Sequence, residues 1–326
     1  MTNLEARPTP QVCDALPRRG PVTELLDARP VPLGGLRAMH VRRTLPQRAL
    51  PLVGAWCFLD EFGPEPVDMR VLPHPHTGLQ TVTWPVRGEI HHRDSVGSDV
   101  VVRPGQLNLM TAGRGVAHCE LSLGDRPLLH GVQLWVALPD EAVAGPAAFE
   151  QVTEPPVWEV AGASATVFIG ALDGVRSPAR VHSPLLGAEV VVHPGAVVDV
   201  PLQTAFEHAV LVLEGAAQVA GTRCVPGGLL YLGDGRDELR ATSAGGARLL
   251  LLGGEPFGHD VVMWWNFVGR THLEIAQARA AWQDPDARVE RFGVVEGHGG
   301  ALVPAPDLPN VRLQPRRRGG PDAPRP

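Results

Sequence analysis

Two short runs concentrate the ligand-type side chains of this chain, His74-Pro75-His76 and His118-Cys119-Glu120. In an extended strand, residues i and i+2 point to the same face, so each run presents two donor heads to one side and turns Pro75 or Cys119 away. Three imidazoles and one carboxylate brought together suit a first-row metal: iron, manganese, nickel, copper or zinc. Four protein ligands leave one or two positions open in a five- or six-coordinate ion, and open positions admit substrate or dioxygen. His118 follows His76 by 42 positions with the turn Pro104-Gly105 between them, which suits separate strands of one barrel. Other histidines, among them His40, His130, His193, His208 and His298, stand singly and read as satisfied core or surface residues.

Bringing two such pairs face to face requires sheets, and the apolar pattern supplies them. Between residues 30 and 256, short apolar runs end in turn residues roughly every 8 to 12 positions, the spacing of an antiparallel sandwich or barrel. In Leu79–Val86, Val82, Trp84 and Val86 share a face; Val100–Val102 stops at Pro104-Gly105; Val132–Leu138 is a third run. Pro139–Pro156 is rich in proline and alanine, so residues 141–160 read as a linker between domains at 1–140 and 161–285. The two halves resemble each other: Val82–Gly88 matches Ala209–Gly215, and Val102–Gly105 matches Cys224–Gly227, which implies two copies of one barrel in an all-β fold. The same alignment sets Pro201 and Gln203 opposite His74 and His76, and Arg240 and Thr242 opposite His118 and Glu120, so the second copy has no ligand set. One helix is expected near 271–283, with Thr271 and Glu274 at capping-box spacing, Ile275, Ala278 and Trp282 on one face, and Asp284-Pro285 as its stop. Residues 286–326 read as an extended or partly disordered tail.

Composition removes several alternatives. The 326 residues include 29 arginines and no lysine, against 35 acidic residues, for a formal charge of -6. Without lysine, Schiff-base chemistry, a pyridoxal-phosphate anchor and a phosphate-loop lysine are excluded. The one dense basic cluster, Arg316–Arg318, sits in the proline-rich tail, so no nucleic-acid groove is expected. Four scattered cysteines form no CxxC pair and no disulfide scaffold, which points to a reducing, cytoplasmic setting. Acidic and proline residues in Met1–Arg19 do not make a signal peptide, and no run of 18 apolar residues suggests a membrane span.

The block His74-Pro-His-Thr-Gly78, Val82-Thr83, Gly88, His92-Arg-Asp-Ser-Val-Gly97, Arg103-Pro-Gly105 and Met110-Thr-Ala-Gly-Arg-Gly-Val-Ala-His-Cys-Glu120 closely resembles the pirin family of bicupins. Gln133-Leu-Trp-Val136 and Gly254-Glu-Pro-Phe257 look like later signatures of that family, and the resemblance spans residues 30–285. It implies two tandem cupin (jelly-roll) barrels with a C-terminal helix, and one Fe(2+) held in the N-terminal barrel by His74, His76, His118 and Glu120. Nickel, copper and manganese remain open as occupants. The sequence departs from the family at Gln80, where a glutamate is usual, and at Cys119. Gln80 is expected to alter hydrogen bonding or proton handling near the metal. Cys119 is expected to be a buried inert thiol.

For function, the resemblance implies a quercetinase-type dioxygenase acting on a flavonol-like substrate with O2, with Glu120 both ligand and proton acceptor. Another small aromatic or enediol metabolite is a weaker substrate reading. The alternative class is a non-catalytic iron protein that binds a protein partner according to redox state. A monomer is expected, because each barrel closes its own edges. Gly113-Arg114-Gly115 reads as a tight turn with glycines at positive φ, His91–Asp94 as a solvated strand end, and Asp60-Glu61, Glu89 and Asp99 as solvent-facing charges. Trp264 and Trp265, beside Asn266, read as packing over the first barrel or the seam between barrels.

Overall fold

The computed structural model describes residues 11–13, 20–33 and 39–314. Strand dominates, with 54% of the described residues against 8% in helix, as the short, turn-bounded apolar runs require. In the first barrel a seven-stranded sheet runs in the order Ala148–Val152, Leu107–Thr111, Leu79–Arg87, Leu128–Ala137, Trp56–Pro66, Met39–Leu45, Arg29–Leu33. Its four-stranded partner sheet runs Arg70–His76, Val116–Ser122, Ile90–Asp94, Asp99–Val102. The second barrel repeats the plan, with an eight-stranded sheet that includes Leu185–Val192, Ala247–Gly254 and Glu207–Gly215, and a four-stranded sheet that starts from Ala196–Pro201.

Leu79–Arg87 is buried from Leu79 through Pro85 instead of alternating, because both of its faces are covered. Thr83 looks into the first barrel, toward Glu120, while Trp84 faces the second barrel and stacks on Phe168 at 4.7 Å. Indole hydrogen bonds satisfy the polar ends of this seam: Trp84 Nε1 donates to Glu189 Oε2 at 2.9 Å and Trp56 Nε1 to the Gly253 carbonyl at 3.0 Å. One apolar cluster therefore runs through both barrels, with Val82, Leu134 and Val136 contributed by the first and Leu211, Leu250 and Leu252 by the second. Burying each full-sized apolar side chain there contributes roughly 1.5–3 kcal/mol.

Expectations about the chain's organisation change at both ends and in the middle. Residues 141–160 are not a structureless linker. Asp140–Val143 is a short helix, Ala148–Val152 pairs with Leu107–Thr111 in the first barrel, and Val157–Val160 pairs with Ala163–Thr166 in the second. Ala148–Val152 mixes apolar Ala148, Phe149 and Val152 with Glu150 and Gln151 without alternation and stays partly exposed, so this short edge strand carries little pattern beside the flanking prolines. Pro21–Asp27, assigned to the first domain, instead pairs with Gly228–Gly233 in the second barrel's sheet.

The helix at His272–Gln283 forms as expected, with the Thr271 hydroxyl accepting from Glu274 N and with Ile275, Ala278 and Trp282 buried. Asp284 ends it and also caps a second helix, Pro285–Phe292, by accepting from Asp286 N and Ala287 N. Proline at the first helical position costs no hydrogen bond, so Asp284-Pro285 restarts a helix as readily as it stops one. Beyond Phe292 the chain is irregular but packed: Val295, Ala305 and Leu313 are buried in a cluster with Trp264, Trp265, Trp282 and Cys119. The tail is thus ordered through residue 314, and Arg316–Arg318 lie outside the described residues.

Candidate metal centre

Strand register assembles the centre. Val116–Ser122 sits between Arg70–His76 and Ile90–Asp94, so His118 lies opposite His74 on one side and Asp94 on the other, and Glu120 lies opposite His92. Between His118 and Glu120 the pairing with Arg70–His76 slips by a bulge, a device that re-aims side chains. Gly78 makes the turn after His76 with φ +70°, and a Cβ there would lie 2.2 Å from the Val268 carbonyl. Only glycine fits this close approach.

His74, His76, His118 and Glu120 are all fully buried. The donor atoms of His74, His76 and His118 lie within 4.8 Å of one another, and those of His92, His118 and Glu120 form an overlapping cluster. His74 Nδ1 donates to the Leu72 carbonyl at 2.9 Å and His76 Nδ1 to the Asn266 carbonyl at 3.2 Å, so both rings keep a bare Nε2. His76 Nε2 faces His118 Nε2 at 3.1 Å, and His74 Nε2 is buried with no hydrogen-bond partner among the described residues. Inward lone pairs stacked this closely repel unless a cation lies among them. Adjacent ligands on metal–nitrogen bonds of roughly 2.1 Å stand roughly 3 Å apart, so the observed spacing fits a bound ion.

Burial, reinforced by the neighbouring imidazoles, holds His74 and His118 well below the usual histidine range. Burial likewise lowers His76, to about 3. The three rings are therefore neutral at physiological pH, which is the metal-binding form. Glu120 Oε1 accepts from the Thr83 hydroxyl at 3.0 Å, and that hydroxyl also lies 3.1 Å from Gln133 Oε1. Behind His76 stands a column of flat groups. The ring meets Trp135 edge-on at 5.2 Å, Trp135 stacks on Phe58 at 3.9 Å, and the Arg43 guanidinium covers Phe58 at 4.4 Å. Asp60 closes the column with two 2.7 Å bonds from Arg43.

Asp60 and Glu61 are thus not solvent-facing charges: both are buried, Asp60 on Arg43 and Glu61 on Arg42 and His130. Their strand Trp56–Pro66 lies inside the large sheet, where an acid persists only if paired. Nor is His91–Asp94 a solvated strand end. His92 and Asp94 are buried, with His92 stacked on Phe149 at 4.7 Å, and the alternation of Ile90, His92 and Asp94 with His91 and Arg93 is the signal that marks it. Gln80 lies three positions from Thr83, hence on the other face. It donates to Thr111 Oγ1 and the Arg180 carbonyl, at 2.9 and 3.0 Å, and does not touch the ligand set.

Cys119 faces away from the ligands as expected, in the cluster beneath the helices, and burial pushes its thiol up to about 11. Gly113 has φ +51° and Arg114 is exposed, so this segment is a turn; Gly115 has ordinary φ and is small because a Cβ would meet the Arg291 carbonyl at 2.8 Å. Pro201, Gln203, Arg240 and Thr242 are all at least partly exposed, and among the described residues the second barrel holds no metal-type cluster. No helix of the described residues is long and apolar enough to cross a membrane.

A tandem pair of cupin barrels, one carrying a candidate histidine–glutamate metal site and the other with no such cluster among the described residues, defines the class as a bicupin. Residues 38–136 match the Pirin family model and residues 187–287 match the Pirin C-terminal cupin domain, so the chain belongs to the pirin family. It is 44% identical over 300 residues, covering 91% of this chain and 94% of the relative, to a Pseudomonas aeruginosa protein named "Putative quercetin 2,3-dioxygenase". The crystal structure of a quercetin 2,3-dioxygenase from Acinetobacter baumannii superposes with TM-score 0.84 at 36% identity, covering 90% of this chain and 98% of that one. An Escherichia coli pirin solved with nickel(II) shares the fold, with TM-score 0.60 at 17% identity over 72% of this chain and all of that one.

Proposed function

We propose that this pirin-family chain is a mononuclear iron dioxygenase that opens a flavonol-like substrate with O2. The observation that carries the reading is the set of buried, inward, unprotonated imidazole nitrogens of His74, His76 and His118 beside the Glu120 carboxylate. The names of the Pseudomonas and Acinetobacter relatives support the reaction class. A bound Fe(2+) would supply Lewis acidity toward a substrate oxygen and one-electron chemistry with dioxygen.

The chain's own residues do the rest. His74, His76 and His118 hold the ion. Glu120, buried and held at Oε1 by the Thr83 hydroxyl, accepts the proton of the substrate's enolic hydroxyl at a carboxylate oxygen. Its neighbour on the next strand, His92, is buried too, so the carboxylate works away from bulk water. Trp135, edge-on to His76, and Phe58, stacked on Trp135, fill the wall behind His76 and keep solvent from the centre.

The test is elemental analysis of the isolated protein followed by anaerobic loading with Fe(2+), Ni(2+), Mn(2+) or Cu(2+). Air is then admitted while loss of quercetin absorbance and release of carbon monoxide are followed. One equivalent of iron with turnover supports the proposal, and a Glu120→Gln protein that still loads iron then loses turnover. Iron without turnover, together with partner binding that differs between Fe(II) and Fe(III), supports the regulatory reading instead. A wild-type protein that retains no metal overturns the site.

A further inference from the structure

The three ligand histidines are not backed alike. Main-chain carbonyls hold His74 and His76, those of Leu72 and Asn266. His118 has a side chain behind it: its Nδ1 lies 3.4 Å from His92 Nδ1, and His92 Nε2 lies 3.0 Å from Asp94 Oδ2. Asp94 is fixed in turn, because its Oδ1 accepts from Val96 N at 3.0 Å and Ser98 N at 2.9 Å. His92 cannot swing away, since it stacks on Phe149 and is buried.

Donor and acceptor roles follow along this row. A carboxylate only accepts, so the proton between Asp94 and His92 is on His92 Nε2. With that proton at Nε2, the other ring nitrogen of His92, Nδ1, is the atom placed to accept from His118 Nδ1–H. His118 is left with its lone pair at Nε2, the atom that faces His76 Nε2 across the centre. We infer that His92 and Asp94 are positioning residues that lock the tautomer of His118 and strengthen it as a donor, making His118 the one ligand of the three whose basicity a side chain sets. The inference rests on the metal reading above. Partners of this kind that orient and polarise a ligand typically change metal affinity about 10- to 100-fold when removed.

Asp94→Asn is the discriminating change. Asparagine keeps an oxygen for Val96 N and Ser98 N, so the turn survives. Its amide would now donate to His92 Nε2 and drive the His92 proton to Nδ1, where it faces the proton of His118 Nδ1. A nearly isosteric substitution thus inverts the whole row. His92→Phe keeps a flat ring against Phe149 and removes both nitrogens.

The experiment uses the full-length apo-protein with cobalt(II) as probe. Affinity is read by competition with a chromophoric chelator, the d–d spectrum by absorption, and the number of bound imidazoles by X-ray absorption. We expect each single variant to bind cobalt about 10- to 100-fold more weakly with a shifted d–d band, the double variant to be no weaker than the worse single, and three imidazoles to remain. Wild-type affinity and spectrum in Asp94→Asn would overturn the inference, since a turn-capping role alone predicts them. Losing one imidazole in His92→Phe would also overturn it by making His92 a ligand. Failure of wild type to bind cobalt at one equivalent is the distinct result that removes the metal reading, and this inference with it.

Discussion

Breaking the ion pair at the end of the aromatic column behind His76 provides a strong test of how the first barrel is held. Arg43 is 2% exposed and Asp60 0%, and the two bonds between them are both 2.7 Å, so each charge depends on the other for solvation. Asp60→Asn leaves a buried guanidinium facing an amide that can accept one N–H and presents two of its own. Removing one partner of such a pair costs about 3–5 kcal/mol. With a urea dependence of about 3 kcal/mol per M, that moves the unfolding midpoint of the apo-protein down by about 1 M or more. Arg43→Met alone exposes the complementary fault. In the double variant Arg43→Met/Asp60→Leu, both charges are gone and methionine still covers Phe58, so stability returns to within about 1 kcal/mol of wild type or exceeds it. Urea titration followed by tryptophan fluorescence, in which Trp135 reports through its stack on Phe58, measures all four proteins. A double variant no more stable than either single, or an Asp60→Asn midpoint equal to wild type, would refute the argument that the pair is mutually solvated.

Three further outcomes are expected. Thr83→Val removes the hydroxyl bonded to Glu120 while preserving shape, and loss of a hydrogen bond to a carboxylate is worth about 1.5–3 kcal/mol, so metal affinity measured by chelator competition falls at least tenfold. Burial, and then Arg236, lower His208 from 6.5 to about 4, so the unfolded chain takes up a proton first and stability falls as pH drops through that window, by up to about 3 kcal/mol; thermal melts from pH 7 to pH 4 should show a His208→Phe protein losing less than wild type. Cys119, buried and with its thiol pushed up to about 11, should stay unmodified by iodoacetamide at pH 8 in native protein and become labelled in urea, as peptide mapping would show.

The candidate ligand set is legible in the sequence because HxH and HxE runs in strands obey a period of two, which holds regardless of which sheet the strand joins. The two-barrel plan is legible for a similar reason: the turns Gly88 and Gly215 and the Pro-Gly pairs repeat in fixed order. What sequence does not rank is the environment of single charges. Asp60 looks like a surface acid until Arg43, seventeen positions earlier on the neighbouring strand, is seen against it. His92 is obscured because the adjacent His91 and Arg93 are polar, although their alternation with Ile90 and Asp94 is on view. Family analogy puts Gln80 in the metal's surroundings, whereas counting three residues to Thr83 places it on the opposite face. The segment 141–160 reads as a linker because proline content outweighs two short strand patterns, and only pairing with Leu107–Thr111 and Ala163–Thr166 reveals them.

The carbonyl that orients His76 belongs to Asn266, 190 residues downstream, and Val303 N donates to the Pro73 carbonyl next to His74. All four candidate ligands have therefore been made long before the parts that aim them exist. A ribosome that has delivered the first barrel has delivered donors without their bearings, and the centre is completed only as the last segments of the chain settle onto the back of the ligand strands. Evolution of the two barrels is tied together in the same way. The second copy, relieved of donors of its own, cannot be trimmed or exchanged as a free module, because the segment that follows it supplies a structural half of the first copy's chemistry.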